Sequence, residues 1–255
     1  MTNKIFTHEV AIVTGAGQGI GFEIARQLAL QGASVILNDA DEALANLAAE
    51  KIVKENGTCI PLHGDAKEVA FIYEMVEKAV QHFGCLTLAV ANAGLSLYGD
   101  FFDYTKASFN SVTELNLGGS FFLTQAATKQ MRQQKKGGSI LLMSSVVAHQ
   151  AHKDLAAYAM TKAGLEMLAK NLVVELSQYQ ITINTIAPGA TLTERTLSFD
   201  DYINGWSAVT PMGRPASVSD IANAALFLLS PASRHITGQS LVVDGGWTTI
   251  SPTPE

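Results

Sequence analysis

Short apolar runs rich in Val, Ile and Leu alternate with longer helical patterns along the whole chain. No other feature constrains the fold as much. The runs lie within EVAIVTG, SVILND, TCIPLHGD, CLTLAVANAG, GGSILLMSS, ITINTIAPG and QSLVVDGG. Between them, GFEIARQLALQGA carries Ile24, Leu28 and Leu30 and stops at Gly32, and DEALANLAAEKIVKENG stops at Gly57. Further helical patterns cover 67–83, about 107–134, DLAAYAMTKAGLEMLAKNLVVEL and 217–229. Strands this apolar are buried on both faces, so the alternation predicts an α/β fold: a doubly wound, seven-stranded parallel sheet with helices on both faces. No composition break and no solenoid repeat interrupts it, which predicts a single domain over 1–255, with SPTPE as a frayed tail at about 250–255. In such sheets a ligand binds outside the carboxyl ends of the strands.

Composition removes several classes of function. With 47% hydrophobic residues in 255, the chain can bury one core without disulfide or metal staples. Its net charge is −6, its pI is about 5.5, and its longest basic run is Lys135–Lys136, which excludes a nucleic-acid partner. Cys59 and Cys85 form no CxxC pair, so neither a disulfide framework nor a zinc site is expected. MTNKIFTHEV lacks the apolar core of a signal peptide, and no run is long enough to span a membrane. A cytoplasmic protein is expected.

The first strand runs into VTGAGQGIG, which puts glycines at 15, 17, 19 and 21 and opens the first helix. The common G-x-G-x-x-G pattern fails, because its last glycine would fall on Ile20. Glycines here let the backbone turn sharply and approach a ligand, and the helix N-terminus behind them suits a diphosphate. Asp39 ends the second strand, at a distance where an acid can accept both ribose hydroxyls of an adenosine and repel a 2′-phosphate. Asp41 is the better candidate to cap the second helix.

Tyr158 and Lys162 stand one helical turn apart and face the same way. Alone, that pattern also suits an amphipathic helix with one aromatic and one solvated lysine. With Ser145 at the end of the fifth strand, it suits proton transfer. A nearby ammonium would bring the phenol down toward a working range, and Ser145 would hold a substrate oxygen against it. The histidines show no H-E-x-x-H grouping and no metal is expected. His149 and His152, in the loop between Ser145 and Tyr158, are read either as substrate-facing groups or as solvated loop residues. No G-x-S-x-G elbow points to a serine hydrolase.

Thr14, Gly15, Gly19 and Gly21, in the order T-G-x-x-x-G-x-G, resemble the glycine signature of the short-chain dehydrogenase/reductase family. The resemblance runs from about residue 7 to 247 and adds HGDA, ANAG, Y-x-x-x-K, IAPGATLT and TGQSLVVDGG in order. Ala91 stands where the family more often has a first Asn. The resemblance implies a Rossmann fold and a catalytic set of Asn116, Ser145, Tyr158 and Lys162, in which the Asn116 backbone holds a water linking Lys162 to solvent. It implies cofactor contacts from Gly15, Gln18, Gly19, Ile20 and Gly21, and from Asp39, Asp65 and Ala66. Asn92, Ala93 and Gly94 join these, with Tyr158, Lys162, Pro188, Gly189, Thr191 and Thr193.

The expected cofactor is NAD, with NADP disfavoured by Asp39. The expected reaction is hydride transfer to or from a small or medium sugar, polyol or secondary alcohol. Substrate choice is assigned to 95–99, 146–154 and a lid at about 194–210, with Trp206 as an apolar wall beside Ser145, Tyr158, His149 and His152. Within the family the chain is most similar to glucose-type dehydrogenases and 3-oxoacyl-carrier-protein reductases. The alternatives are therefore an NADPH-dependent reductase of that second kind, docking its carrier through Lys129, Arg132, Lys135 and Lys136, or an NAD-binding regulator without turnover. A homotetramer built on helices 107–134 and 155–178 is also implied.

Overall fold

A computed structural model of the chain describes residues 4–250, so the expected tail from 251 onward lies outside the described residues. The elements follow the predicted rhythm: β1 (Val10–Val13), α1 (Gly19–Leu30), β2 (Ser34–Asp39), α2 (Glu42–Lys54), β3 (Thr58–His63), α3 (Val69–Phe83), β4 (Leu88–Ala91), α4 (Lys106–Thr113), α5 (Ser120–Gln134) and β5 (Gly138–Met143). Then come α6 (Ala156–Leu176), β6 (Ile181–Pro188), β7 (Thr191–Leu192), α7 (Tyr202–Val209), β8 (Ala216–Ser217), α8 (Val218–Leu229) and β9 (Ser240–Val243).

Seven strands form one sheet in the order β3-β2-β1-β4-β5-β6-β9, all parallel. The period-two rule sorts the apolar runs onto two faces. Ala11 and Val13 of β1 join a core with Ile24 and Leu28 of α1 and Ile221 of α8. Val10 and Ile12 join the opposite core with Ile72 of α3, Leu123 of α5 and Leu165 of α6. Every residue of β1, β4, β5 and β6 is buried. Strands β1 and β4 are accordingly apolar throughout, whereas β5 and β6 also bury Ser139, Thr182 and Asn184 as hydrogen-bonded polar groups.

Chain order reverses at β1, which pairs with β2 on one side and β4 on the other. The crevice beyond these two carboxyl ends is where a doubly wound sheet takes its ligand. Helix α2 is capped by Asp41, whose side chain accepts from the Leu44 N–H at 3.0 Å. That leaves Asp39 free of the capping role, as expected.

Three local features depart from the sequence reading. Strand four begins at Leu88, not at Cys85. The short pair β7–β8 was not foreseen. The long helix expected over 107–134 is interrupted by a π-helical turn at Glu114–Gly119, within ELNLGGS. Its wider spacing lets buried Asn116 reach across to the loop after β4, and such turns recur at functional sites.

Candidate active site

The carboxyl ends of β1 and β4 are tied together by Asn92. Its side-chain amide donates to the Thr14 carbonyl (2.9 Å) and the Gly15 carbonyl (2.8 Å). The Asn92 and Ala93 N–H groups donate in return to Thr14 Oγ1, each at 3.1 Å. Gly15 has φ +59°, and a Cβ there would stand 2.8 Å from Ala93 Cα, so the turn needs glycine on both counts. Gly17 donates its N–H to Asp39 Oδ2 at 2.9 Å, and Asp39 Oδ1 accepts from the Asp41 N–H at 3.0 Å.

Gln18 is the N-cap of α1 but makes no side-chain cap, and the first turn holds no acidic residue. Open N–H groups and a positive helix end therefore face the crevice. Thr193 closes on this loop from the far side, its Cγ2 lying 3.4 Å from the Cβ position of Gly19. Asp65 pairs with Lys67 at 3.1 Å, and Ala66 packs on the π-turn through Gly119. A cradle that a Cβ would fill, an uncapped helix end and a carboxylate at the end of β2 fit a dinucleotide.

The proton-handling residues meet beside it. Tyr158 lies in the first turn of α6 and Lys162 one turn on, with its Nζ 5.4 Å from the Tyr158 ring centroid. Lys162 is buried, donates to the Met143 carbonyl at 2.6 Å, and makes no ion pair among the described residues. Burial alone pushes its pKa down to about 8. Asn116 Oδ1 and Lys162 Nζ converge on Gly94, each 3.4 Å from its Cβ position. The Asn116 side chain is itself fully engaged, accepting from the Leu95 N–H (2.8 Å) and donating to the Leu95 carbonyl (3.0 Å) and Thr161 Oγ1 (3.1 Å).

The phenol differs from expectation. Burial raises the Tyr158 pKa, offset in part by a hydrogen bond with Ser145 and by the charge of Arg195. The lysine does not lower it here, because desolvation of the phenolate dominates.

The two adjacent serines separate clearly. Ser144 Oγ is turned into the protein, donating to Glu166 Oε1 (2.8 Å) and the Lys162 carbonyl (3.2 Å). Ser145 instead lines the cavity with Tyr158, its Oγ accepting from the Val147 N–H at 3.4 Å. Glu166 also accepts from Ser240 Oγ (2.9 Å) and pairs with His149 Nε2 (2.9 Å). His149 is thus held by a carboxylate on α6 and does not line the cavity, unlike the substrate-facing reading of it. His152 does line it, edge-on to Tyr98 with ring centroids 6.2 Å apart. Sequence reasoning missed Glu166, although it continues the one-turn spacing Tyr158–Lys162–Glu166.

A cavity of about 800 Å³ opens over Ser145 and Tyr158, with Ile20, Pro188, Gly189 and Thr191 along its cofactor side. Its outer wall is aromatic. Trp206 of α7 packs edge-on against Trp247 at 5.5 Å and near Tyr202 at 6.1 Å. Trp206 was expected there. Trp247 was not, because it comes from the segment after β9, where Asp244 shapes the turn by accepting from the Gly246 and Thr248 N–H groups (2.8 and 2.7 Å).

Residues 15–248 match a family model described as enoyl-(acyl carrier protein) reductase. An L-rhamnose 1-dehydrogenase (NAD(P)(+)) of Azotobacter vinelandii is 35% identical over 245 residues, spanning 93% of this chain and 96% of that protein. The chain belongs to the short-chain dehydrogenase/reductase family. A hydroxynaphthalene reductase-like protein Arp2 of Metarhizium robertsii is 32% identical, spanning 97% of this chain and 98% of its own length. A 7α-hydroxysteroid dehydrogenase solved with NADH and 7-oxoglycochenodeoxycholic acid superposes with a TM-score of 0.90 at 34% identity, covering 96% of each chain. This short-chain dehydrogenase/reductase has the single-domain Rossmann fold of its relatives and is an oxidoreductase acting on CH–OH groups. Among the described residues, no helix is long and apolar enough to cross a membrane.

Proposed function

We propose that this chain is an NAD-dependent dehydrogenase that interconverts a secondary alcohol, sugar or polyol with its carbonyl form, with Tyr158 as the acid/base. The observation that carries this reading is a cavity of about 800 Å³ lined by Ser145 and Tyr158, with buried Lys162 behind the Tyr158 ring and Ile20 of the glycine loop in the same lining. The dinucleotide supplies the hydride donor or acceptor when bound. It would be held by Gly15, Gly19 and Gly21, the open end of α1, Asp39, and Thr193. At the substrate oxygen, Ser145 Oγ holds the group in line and Tyr158 Oη gives or takes the proton.

The raised phenol pKa keeps Tyr158 protonated at neutral pH, ready to donate to a forming alkoxide. In the reverse direction the charge of Arg195 and the positive end of α6 favour the phenolate against its burial. Asp39 supports NAD over NADP, since a carboxylate repels a 2′-phosphate. The description of the matching family model favours a second reading, an NADPH-dependent reductase of carrier-bound acyl groups, against which Asp39 argues. A cytoplasmic homotetramer completes the proposal, supported by Phe109, Met160, Met167 and Val174, which stand exposed on α4 and α6.

The test is a fluorescence titration of wild type and Tyr158→Phe with NADH and NADPH, alongside turnover of a ketone and alcohol panel. Wild type binds NADH more tightly than NADPH. Tyr158→Phe keeps NADH binding and loses about 10²–10⁴ in kcat, the range for general acid–base loss. Tighter NADPH binding promotes the acyl reductase reading, and near-normal turnover by Tyr158→Phe removes Tyr158 from the chemistry. NADH binding without turnover of any compound leaves a regulator.

A further inference from the structure

The charge pattern of the cavity goes beyond what hydride and proton transfer need. The chain carries 23 Asp and Glu against 17 Lys and Arg, yet among the described residues no Asp or Glu lines the cavity, and Arg195 is the only Lys or Arg that does. Arg195 makes no ion pair among the described residues. Among the described residues its one side-chain hydrogen bond goes from Nη2 to the neutral Ser96 Oγ, at 2.8 Å, both residues lining the cavity. A guanidinium has five N–H donors in a planar fork, so most of that fork remains free to grasp two oxygens of an anion.

The direction of the side chain separates it from the dinucleotide. Its neighbour Glu194 points to the glycine loop, with Oε2 3.8 Å from the Cβ position of Gly19. Arg195 points the opposite way, to Ser96 in the loop after β4. Its charge already reaches the Tyr158 and Tyr202 hydroxyls, both on the substrate side. The lining also carries the rings of Phe199, Tyr202, Trp206 and Trp247, with Ser96, Thr196 and His152 among its polar side chains. Among the described residues this lining offers a neutral sugar no carboxylate or side-chain amide to accept from its several hydroxyls.

We propose that Arg195 is a substrate-binding residue that reads a carboxylate, and that the substrate is a cyclic or aromatic hydroxy or oxo acid with its carboxylate remote from the reacting carbon. The reacting end rests on the reading of Ser145 and Tyr158 given above, whereas the anion site does not depend on turnover.

Both tryptophans of the chain line this cavity, so intrinsic fluorescence reports on it directly. Wild type, Arg195→Gln and Arg195→Lys are titrated with cyclohexanecarboxylate and with cyclohexanecarboxamide, with and without NAD. In wild type the carboxylate binds about tenfold or more tightly than the amide, as one charge-assisted contact allows, and added salt weakens the carboxylate alone. Arg195→Gln brings the two ligands to within about threefold of each other. Arg195→Lys keeps an intermediate ratio, since it retains the charge without the fork.

Equal affinities, quenching by neither ligand, or an unchanged ratio in Arg195→Gln overturns the proposal. So does a loss of NAD affinity in Arg195→Gln with the ratio intact, which assigns the guanidinium to the dinucleotide diphosphate. Reduction of 4-oxocyclohexanecarboxylate and of its methyl ester by NADH is followed in parallel. A persistent binding ratio with no reduction of either ketone sinks the oxidoreductase reading and leaves the anion site standing.

Discussion

At Gly15 a single added methyl group would meet Ala93 Cα at 2.8 Å, while at Gly205, in the middle of α7, nothing lies within 4 Å of the same atom. These two glycines stand for the two halves of the site. The cofactor half is made of strand ends, backbone turns and the short hydrogen bonds of Asn92 and Asp39, and it has one workable conformation. The substrate half is made of side chains on a 3₁₀ turn, an eight-residue helix and the segment after β9, packed on one another through rings about 5.5 to 6.3 Å apart. Backbone geometry dictates the residue in the first half. In the second, many residues would fit and the ligand makes the choice. The first half should therefore break sharply on small changes, and the second should tolerate them.

The largest effect is expected at Gly15→Ala. The left-handed φ of +59° costs an alanine about 1–2 kcal/mol, and the close approach to the Ala93 backbone adds a strain of similar size. Denaturant unfolding should show a loss of about 2–4 kcal/mol, and NADH affinity should fall at least about tenfold. An unchanged unfolding midpoint with normal NADH binding would show that the cradle is as plastic as the lid.

Lys162 lies between the halves and offers a second, opposite test. It is a buried ammonium whose one side-chain hydrogen bond is to the Met143 carbonyl, and its pKa in the folded chain is pushed down to about 8 from 10.5. Between those two values the unfolded chain holds a proton that the folded chain has lost, so the lysine's contribution to stability rises with pH across that window. Below pH 8 the charge stays buried at a cost of at most about 3 kcal/mol. Lys162→Met should therefore abolish turnover and yet raise the Tm at pH 7, by an amount worth about 1–2 kcal/mol after the lost hydrogen bond is counted. The gain should shrink as pH climbs from 8 toward 10.5. A Tm lowered at every pH would mean that Lys162 serves the fold rather than the chemistry.

The same division explains what could be read from the sequence. Gly15, Gly19, Asp39 and the Tyr158–Lys162 pair were legible because each occupies a slot fixed by a strand end or by the helical repeat. Glu166 obeys that repeat as well, and only the greater prominence of the Tyr–Lys pair hid it. The π-turn around Asn116 was not legible, since a helix that widens by one residue keeps its polar and apolar composition. Its one trace was the glycine pair in ELNLGGS. Trp247 and Arg195 gave no local signal. Their role depends on where the segment after β9 and the lid meet in space, which the strand-helix rhythm does not encode. His149 shows the converse error: proximity in sequence to Ser145 suggested a substrate contact, and a carboxylate two turns past Tyr158 on α6 claims the ring instead.

The smallest effect is expected at Gly205→Ala. Glycine inside a helix costs about 0.8–1 kcal/mol relative to alanine, and the added methyl group meets no atom within 4 Å. The substitution should firm α7 by somewhat less than 1 kcal/mol, because a surface helix this short frays and recovers only part of the propensity. Global Tm should move by about 2 °C or less. Hydrogen exchange of the α7 amides should slow several-fold, while NADH affinity stays the same. A stiffer lid holding Trp206 against Trp247 would then slow product release before it altered the chemical step, visible as a lower kcat with an unchanged single-turnover rate. If exchange at α7 does not respond, the lid helix is already as rigid as the cradle. The contrast between the two halves would then lie in composition alone rather than in mobility.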